Sequence, residues 1–265
     1  MRKIAHTHKV LVTLILLVAA FLIWNNINMK NTQTSNINNI EIVPIEHATM
    51  VLKWDGKIIY TDPVGGAEAF AGQPEPDLIF ITDIHGDHFD IKTLEAVSKA
   101  KTLIIIPMAL SDKFPNSVAG ELLVIKNGQK TNQKTSQKVN LNGFTVEAIP
   151  MYNLPEKSDA YHVKGRGNGY VISDETKRVY ISGDTADIPE MRALKNIDIA
   201  FVAMNLPFTM NADSAAAGVL AFKPKQVYPY HYRERDGFAD VNKFKSLVNA
   251  GDPNIEVVLL NWYPK

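Results

Sequence analysis

Residues 76–90 read "PDLIFITDIHGDHFD". The first half is apolar and continuous rather than alternating, the pattern of a short strand buried on both faces. The second half, "TDIHGDHFD" (82–90), puts three carboxylates and two imidazoles into nine residues directly after that strand. Carboxylates crowded together repel one another, and some must take up protons unless a cation joins them. Imidazole nitrogen and carboxylate oxygen are also donors that zinc, manganese and iron accept. Gly86 predicts a tight turn that brings Asp83, His85, Asp87 and His88 toward one focus. A calcium loop does not fit, because the glycine is in the fourth position rather than the sixth and the twelfth residue is Leu94 rather than Glu. The plain alternative is a solvated polar loop in which Asp90 caps the next helix.

Working outward, "IEIVPIEHATMVLKWDGKIIYTDP" (41–63 with Ile40) holds three expected strands, with Asp55-Gly56 as a hairpin signal between the second and third. "DIKTLEAVSKA" has helical spacing at Ile91, Leu94 and Val97. "TLIIIP" and "IDIAFVAM" read as buried strands, "ELLVIKNGQK", "FTVEAIP", "QVYPYH" and "IEVVLLNW" as further strands, and "NGYVISDETKRVYISGD" as a hairpin. Helices are expected at "IPEMRAL" with Asp187 as cap, at "NADSAAAGVLAFKP" ending near Pro224, and at "DVNKFKSLVNAG" stopped by Gly251. "KNGQKTNQKTSQKVNLNG" (126–143) is polar and reads as a loop or hairpin. An antiparallel meander followed by strand–helix alternation implies two sheets packed face to face with helices outside, a four-layer α/β sandwich over residues 40–265.

Five of the seven histidines lie in this region: His47, His85, His88, His162 and His231. His85, His88, His162 and His231 each sit where a strand is expected to meet a loop, and Asp62 and Asp184 end "KIIYTD" and "RVYISGD" in the same way. Strand ends of such a sandwich converge on one edge, so these groups are expected to meet in space. His47 suits either a pocket wall or a structural hydrogen bond. Lys164 and Arg166, between the glycines of "VKGRGNGY", are candidates to meet a substrate anion. Asn205, after a buried strand, is a candidate pocket residue.

The order of these groups resembles the metallo-β-lactamase-fold hydrolase superfamily: Asp62 after an early strand, then Asp83-Ile84-His85-Gly86-Asp87-His88 in the place of H-x-H-x-D-H, then a His, Asp184 and a last His at 231. "IEHATMVLKWDGKIIYTDP", "YHVKGRGNGY" and "MNLPFTM" are similar to its bacterial UlaG-like branch. The resemblance implies an αββα fold and a metal-activated water that cleaves an ester, lactone or phosphodiester bond, with two divalent metals, zinc first and manganese or iron as alternatives. It implies His85 and His162, with Asp83, on one metal; Asp87, His88 and His231 on the other; Asp184 bridging; and Asp62 behind them. Asp87 and Asp184 are then the catalytic carboxylates. Two departures stand out. Asp83 replaces the first His, adding a negative charge that favours manganese or iron or weakens one metal position. No His follows "AIPMYN", which leaves His162 as its substitute. The rival class is a non-catalytic metal- or ligand-binding sensor on the same scaffold.

Composition narrows the rest. Lys+Arg and Asp+Glu balance at 28 each, so nothing suggests a nucleic-acid partner. Cysteine is absent, as are a G-x-S-x-G elbow, a Walker loop and a Rossmann glycine pattern, which leaves neither a serine nor a cysteine nucleophile in view. Residues 10–24, "VLVTLILLVAAFLIW", form an unbroken apolar run behind the basic "MRKIAHTHK". This is the layout of a signal anchor or signal peptide (1–24), followed by a polar tether (25–39). It places the remaining chain on the extracytoplasmic side, membrane-anchored or secreted, with the membrane as a partner and a small-molecule or lipid-like substrate.

Overall fold

The computed structural model describes residues 35–37, 39–131, 141 and 143–264. The expected anchor and most of the tether and of the polar 126–143 segment lie outside them. Among the described residues no helix is long and apolar enough to cross a membrane.

The meander and the alternation appear in one seven-stranded sheet. Strands β1 (Ser35–Ile37), β2 (Ile40–Glu46), β3 (Thr49–Trp54) and β4 (Lys57–Thr61) run antiparallel, and β5 (Leu78–Phe80), β6 (Leu103–Pro107) and β7 (Glu121–Ile125) continue parallel to β4. β1 falls on the last residues of the expected tether. Asp55 and Gly56 turn the β3–β4 hairpin with φ of 50° and 70°, the paired left-handed conformations that a two-residue turn needs. Helix α1 (Ile91–Val97) follows the 82–90 segment, and Asp90 caps it by accepting from the Lys92 and Thr93 backbone N–H groups.

The second sheet contains β8 (Thr145–Met151), β9 (Gly167–Ser173), β10 (Arg178–Ile181), β11 (Ile199–Ala203), β12 (Gln226–Tyr230) and β15 (Glu256–Val257) in the order 15-12-11-10-9-8. A small hairpin, β13 (Arg233–Glu234) with β14 (Gly237–Phe238), escapes sequence reading because it is only two residues wide. Helices α2 (Pro189–Arg192), α3 (Ala212–Phe222) and α4 (Val241–Gly251) cover this sheet. One expectation is corrected here. Asp187 does not cap α2: Ile188 holds that position, and Asp187 pairs with Arg192 instead. Helix α4 ends at Gly251, and Asp252 follows in extended geometry.

Three apolar layers result. Ile42, Leu52, Phe80 and Ile105 of the first sheet meet Ile172, Val179, Phe201 and Tyr228 of the second in the central core. Ile79, Ile104 and Ile106 face the other way, toward Leu94 and Val97 of α1, while Val171, Ala200 and Val202 meet Ala215, Val219 and Phe244. Burial on both faces explains why β5, β6 and β11 read as continuous apolar runs. The four-layer αββα sandwich is therefore present. A Cβ at Gly169 would stand 2.7 Å from Ser182 O and 3.0 Å from Ile181 O, backbone atoms of the neighbouring strand's end. Gly169→Ala is expected to lower stability by about 1–3 kcal/mol, read as a lower midpoint of urea unfolding.

Candidate metal centre

The carboxyl ends of the parallel strands share one edge of the sandwich, the place where open α/β sheets hold ligands. Asp62 follows β4, the Asp83–His88 segment follows β5, Asp184 follows β10, Asn205 follows β11 and His231 follows β12. His47, directly after β2, reaches the same edge through the His231 N–H, which donates to His47 O at 3.2 Å. His47, Asp62 and His231 all adopt left-handed backbone, with φ of 57°, 45° and 48°. That conformation costs a non-glycine residue about 1–2 kcal/mol, and at each of these three positions it falls on the first residue past a strand.

Asp62 is buried, and it accepts from Thr82 N at 2.7 Å, Thr82 Oγ1 at 2.6 Å and His88 Nδ1 at 2.9 Å. The Nδ1–H of His88 is thereby committed, and its Nε2 faces the other way, toward Asp184 Oδ2 at 3.4 Å and His231 Nε2 at 3.2 Å. His231 is supported similarly by the Asn205 carboxamide, 2.9 Å from its Nδ1. Ligation through Nε2 needs Nδ1–H to donate, so Asn205 would turn its oxygen to the ring and its nitrogen to Thr209 Oγ1, with no change of shape. His162 donates Nδ1–H to Phe208 O at 3.0 Å, and its Nε2 lies 3.1 Å from Asp184 Oδ2 and 3.7 Å from Asp83 Oδ2. His85 Nδ1 lies 2.9 Å from Asp83 Oδ2. Asp87 Oδ2 sits 3.2 Å from His47 Nε2 and 3.4 Å from His231 Nε2.

These donors fit divalent metal ions. Asp83, His85 and His162 form one group of convergent ligand atoms; His88, Asp184 and His231 form a second; His47, Asp87 and His231 form a third. His162 Nε2 and Asp184 Oδ1 are buried without a hydrogen-bond partner, and two imidazole nitrogens face each other across 3.2 Å. Such opposed acceptors are costly unless a cation or proton lies between them.

The Gly86 turn is present, through His88 N–H and Phe89 N–H donating to His85 O, although Gly86 is not among the glycines of positive φ. His162 reaches the position expected after "AIPMYN" because residues 154–161 loop out and return. Asn153 N–H donates to His162 O, and His162 N–H donates to Asn153 Oδ1. Lys164 departs from expectation: it lies outside the pocket, over the Tyr152 ring and 3.2–3.3 Å from Glu156 and Glu190. Arg166 is occupied by Asp83 rather than left open for a substrate anion. Asn205 borders the pocket and supports His231. Sequence reading missed Thr82, hidden inside the quoted motif, and the pocket residues Tyr161, Phe208, Arg233 and Glu234, which carry no motif. It also missed Tyr263, whose hydroxyl lies 2.7 Å from His47 Nδ1.

Fold and site together define a metallo-hydrolase architecture. Residues 41–231 match the family described as the beta-lactamase superfamily domain, and the chain belongs to that superfamily. A UPF0173 metal-dependent hydrolase of Thermococcus onnurineus is 31% identical over 81% of this chain and 93% of its own. The crystal structure of a candidate metal-dependent hydrolase from Parabacteroides distasonis, 35% identical, superposes with a TM-score of 0.73 over 86% of this chain and 98% of its own. Igni18, a metallo hydrolase from Ignicoccus hospitalis, is 20% identical with a TM-score of 0.68 over 84% and 95%, and shares the fold.

Burial disfavours a charged His88, but the Asp184 and Asp62 carboxylates outweigh it and hold its pKa well above the ordinary imidazole value. A metal therefore has to displace that proton. Metal affinity is expected to rise from pH 6 to pH 8, by up to about tenfold per unit for each proton released, with the release measured by calorimetry in buffers of different ionisation enthalpy. Asp62→Ala removes the partner that orients His88 and should weaken metal binding by about 10–100-fold, read by competition with a chromogenic chelator.

Proposed function

We propose that this metal-dependent hydrolase cleaves an ester, lactone or phosphodiester bond in a small or amphiphilic molecule, with two metals held as Asp83/His85/His162 and Asp87/His88/His231 and with Asp184 between them. The observation that carries the reading is the meeting of His88 Nε2, His231 Nε2 and Asp184 with their opposite ring nitrogens already engaged. The chemistry a bound divalent cation supplies in such a site is polarisation of the scissile group and a water acidic enough to react near neutral pH.

The chain's own residues do the rest. Burial raises the pKa of the half-exposed Asp87 carboxylate, but hydrogen bonds from the His231 and His47 rings outweigh it and hold it below the usual carboxylate range. His47 shares its hydrogen bond. Burial lowers the His47 pKa more than Asp87 raises it, and the ring is held between Asp87 Oδ2 and the Tyr263 hydroxyl. The pocket, about 390 Å³, suits a small molecule or the head of a larger one. Tyr161 and Phe208, with ring centroids 5.0 Å apart, offer an apolar wall, and Arg233, held over the Tyr263 ring, offers a cation to an acidic substituent. The apolar run at residues 10–24 supports an extracytoplasmic location at the membrane, which brings lipid-like esters within reach.

The test is turnover by the full chain, loaded with Zn²⁺, Mn²⁺ or Fe²⁺, on aryl esters, lactones and bis-aryl phosphodiesters. One bond class is expected to turn over, with a loss in His231→Ala of at least ~100-fold, the upper end of what even outer ligand partners cost. Metal-loaded protein inert on all three classes would sink the assignment of bond type.

A further inference from the structure

Asp83 occupies the ligand position that the pattern gives to a neutral imidazole, and its side chain is fully buried. A buried carboxylate needs a counter-charge. Arg166 supplies it: Nε lies 3.1 Å from Asp83 Oδ1 and Nη2 lies 3.0 Å from Asp83 Oδ2, a two-point fork. The guanidinium is tied down in turn by donation from Nη2 to Tyr161 O at 2.6 Å. Arg166 lies four residues beyond His162, on the segment leading into β9. Even with both oxygens forked, a carboxylate keeps lone pairs for further partners, and Asp83 Oδ2 faces His85 Nδ1 at 2.9 Å and His162 Nε2 at 3.7 Å.

We infer that Arg166 is the positioning residue of the first metal position: it cancels the charge of Asp83 and fixes its carboxylate so that Oδ2 stands beside His85 Nδ1 and His162 Nε2 as the third donor. The Asp83–Arg166 pair then has the net charge of the imidazole it replaces, and the position keeps its capacity for a divalent ion. This rests on the metal-dependent hydrolase reading. The conservative alternative at 166, lysine, brings the charge without the fork and holds the carboxylate less firmly.

The experiment uses the full chain, stripped with chelator and titrated with Zn²⁺ and with Co²⁺, reading stoichiometry by elemental mass spectrometry and ligand geometry by the Co²⁺ visible spectrum. Wild type is compared with Arg166→Met, Arg166→Lys and Asp83→His/Arg166→Met, each checked for folding by circular dichroism. Wild type is expected to bind two ions. Arg166→Met should lose one of them or bind it at least ~10-fold more weakly, with the spectrum of the other unchanged; Arg166→Lys should fall between. The double variant, with an imidazole and no guanidinium, should regain two. Arg166→Met binding both ions with wild-type affinity and spectrum would overturn the inference. So would one ion in wild type and two in Arg166→Met, because the guanidinium would then be excluding the metal. Should Arg166→Met not fold, a folded double variant that binds one ion overturns it equally. Wild type that binds no ion overturns the hydrolase reading as well, which separates the two failures.

Discussion

A single buried carboxylate, Asp62, ties the site to the fold. It accepts from the backbone and hydroxyl of Thr82 and from His88 Nδ1, all from the segment that leaves the adjacent strand. These three bonds set the path of the 82–90 segment before any of its side chains reaches the pocket. They also commit one face of the His88 ring, so that the other face is delivered to Asp184 and His231. A carboxylate buried this deeply is costly without such partners, and the loop would lose its anchor without the carboxylate. Each makes the other tenable.

The two sheets turn that local arrangement into a centre. Their outer faces are covered by helices and their inner faces by each other, so the carboxyl ends of the strands are where polar side chains can gather. Left-handed backbone at His47, Asp62 and His231 interrupts the strand alternation just past the strand ends. Tertiary hydrogen bonds hold these turns, among them His47 N–H to Trp262 O and His231 N–H to His47 O. The strain is tolerated because the surrounding packing over-determines it.

Charge balance shapes the rest of the site. Asp62, Asp83, Asp87 and Asp184 stand among five imidazoles, and the guanidinium of Arg166 is spent on Asp83. The pocket mouth has a different character, with Tyr161 and Phe208 on an apolar wall and Arg233 nearby. A fold that hosts many chemistries leaves function to such site details.

Much of this was legible in the chain itself. Continuous apolar runs announced strands buried on both faces, Asp55-Gly56 announced its hairpin, and Asp90 announced its helix. The "TDIHGDHFD" segment, with Asp62, Asp184 and His231 at strand ends, outlined the centre, because metal ligands need particular atoms and those atoms belong to few residue types. The role of Asp187 was misread because capping depends on backbone angles, and Arg192 competed for its carboxylate. Lys164 and Arg166 looked alike between their glycines, yet one pairs with Glu156 and Glu190 and the other with Asp83. Which glycine-flanked cation meets which acid depends on how loops of the second sheet fold over the first. By itself, then, the sequence determined the layers and the identities of the candidate ligand groups, since periodicity and donor chemistry are local properties. Only the tertiary structure decided that His162 returns beside Asn153, that Asn205 serves His231 and that Arg166 neutralises Asp83, because these are contacts between residues that the chain brings together only after both sheets have packed.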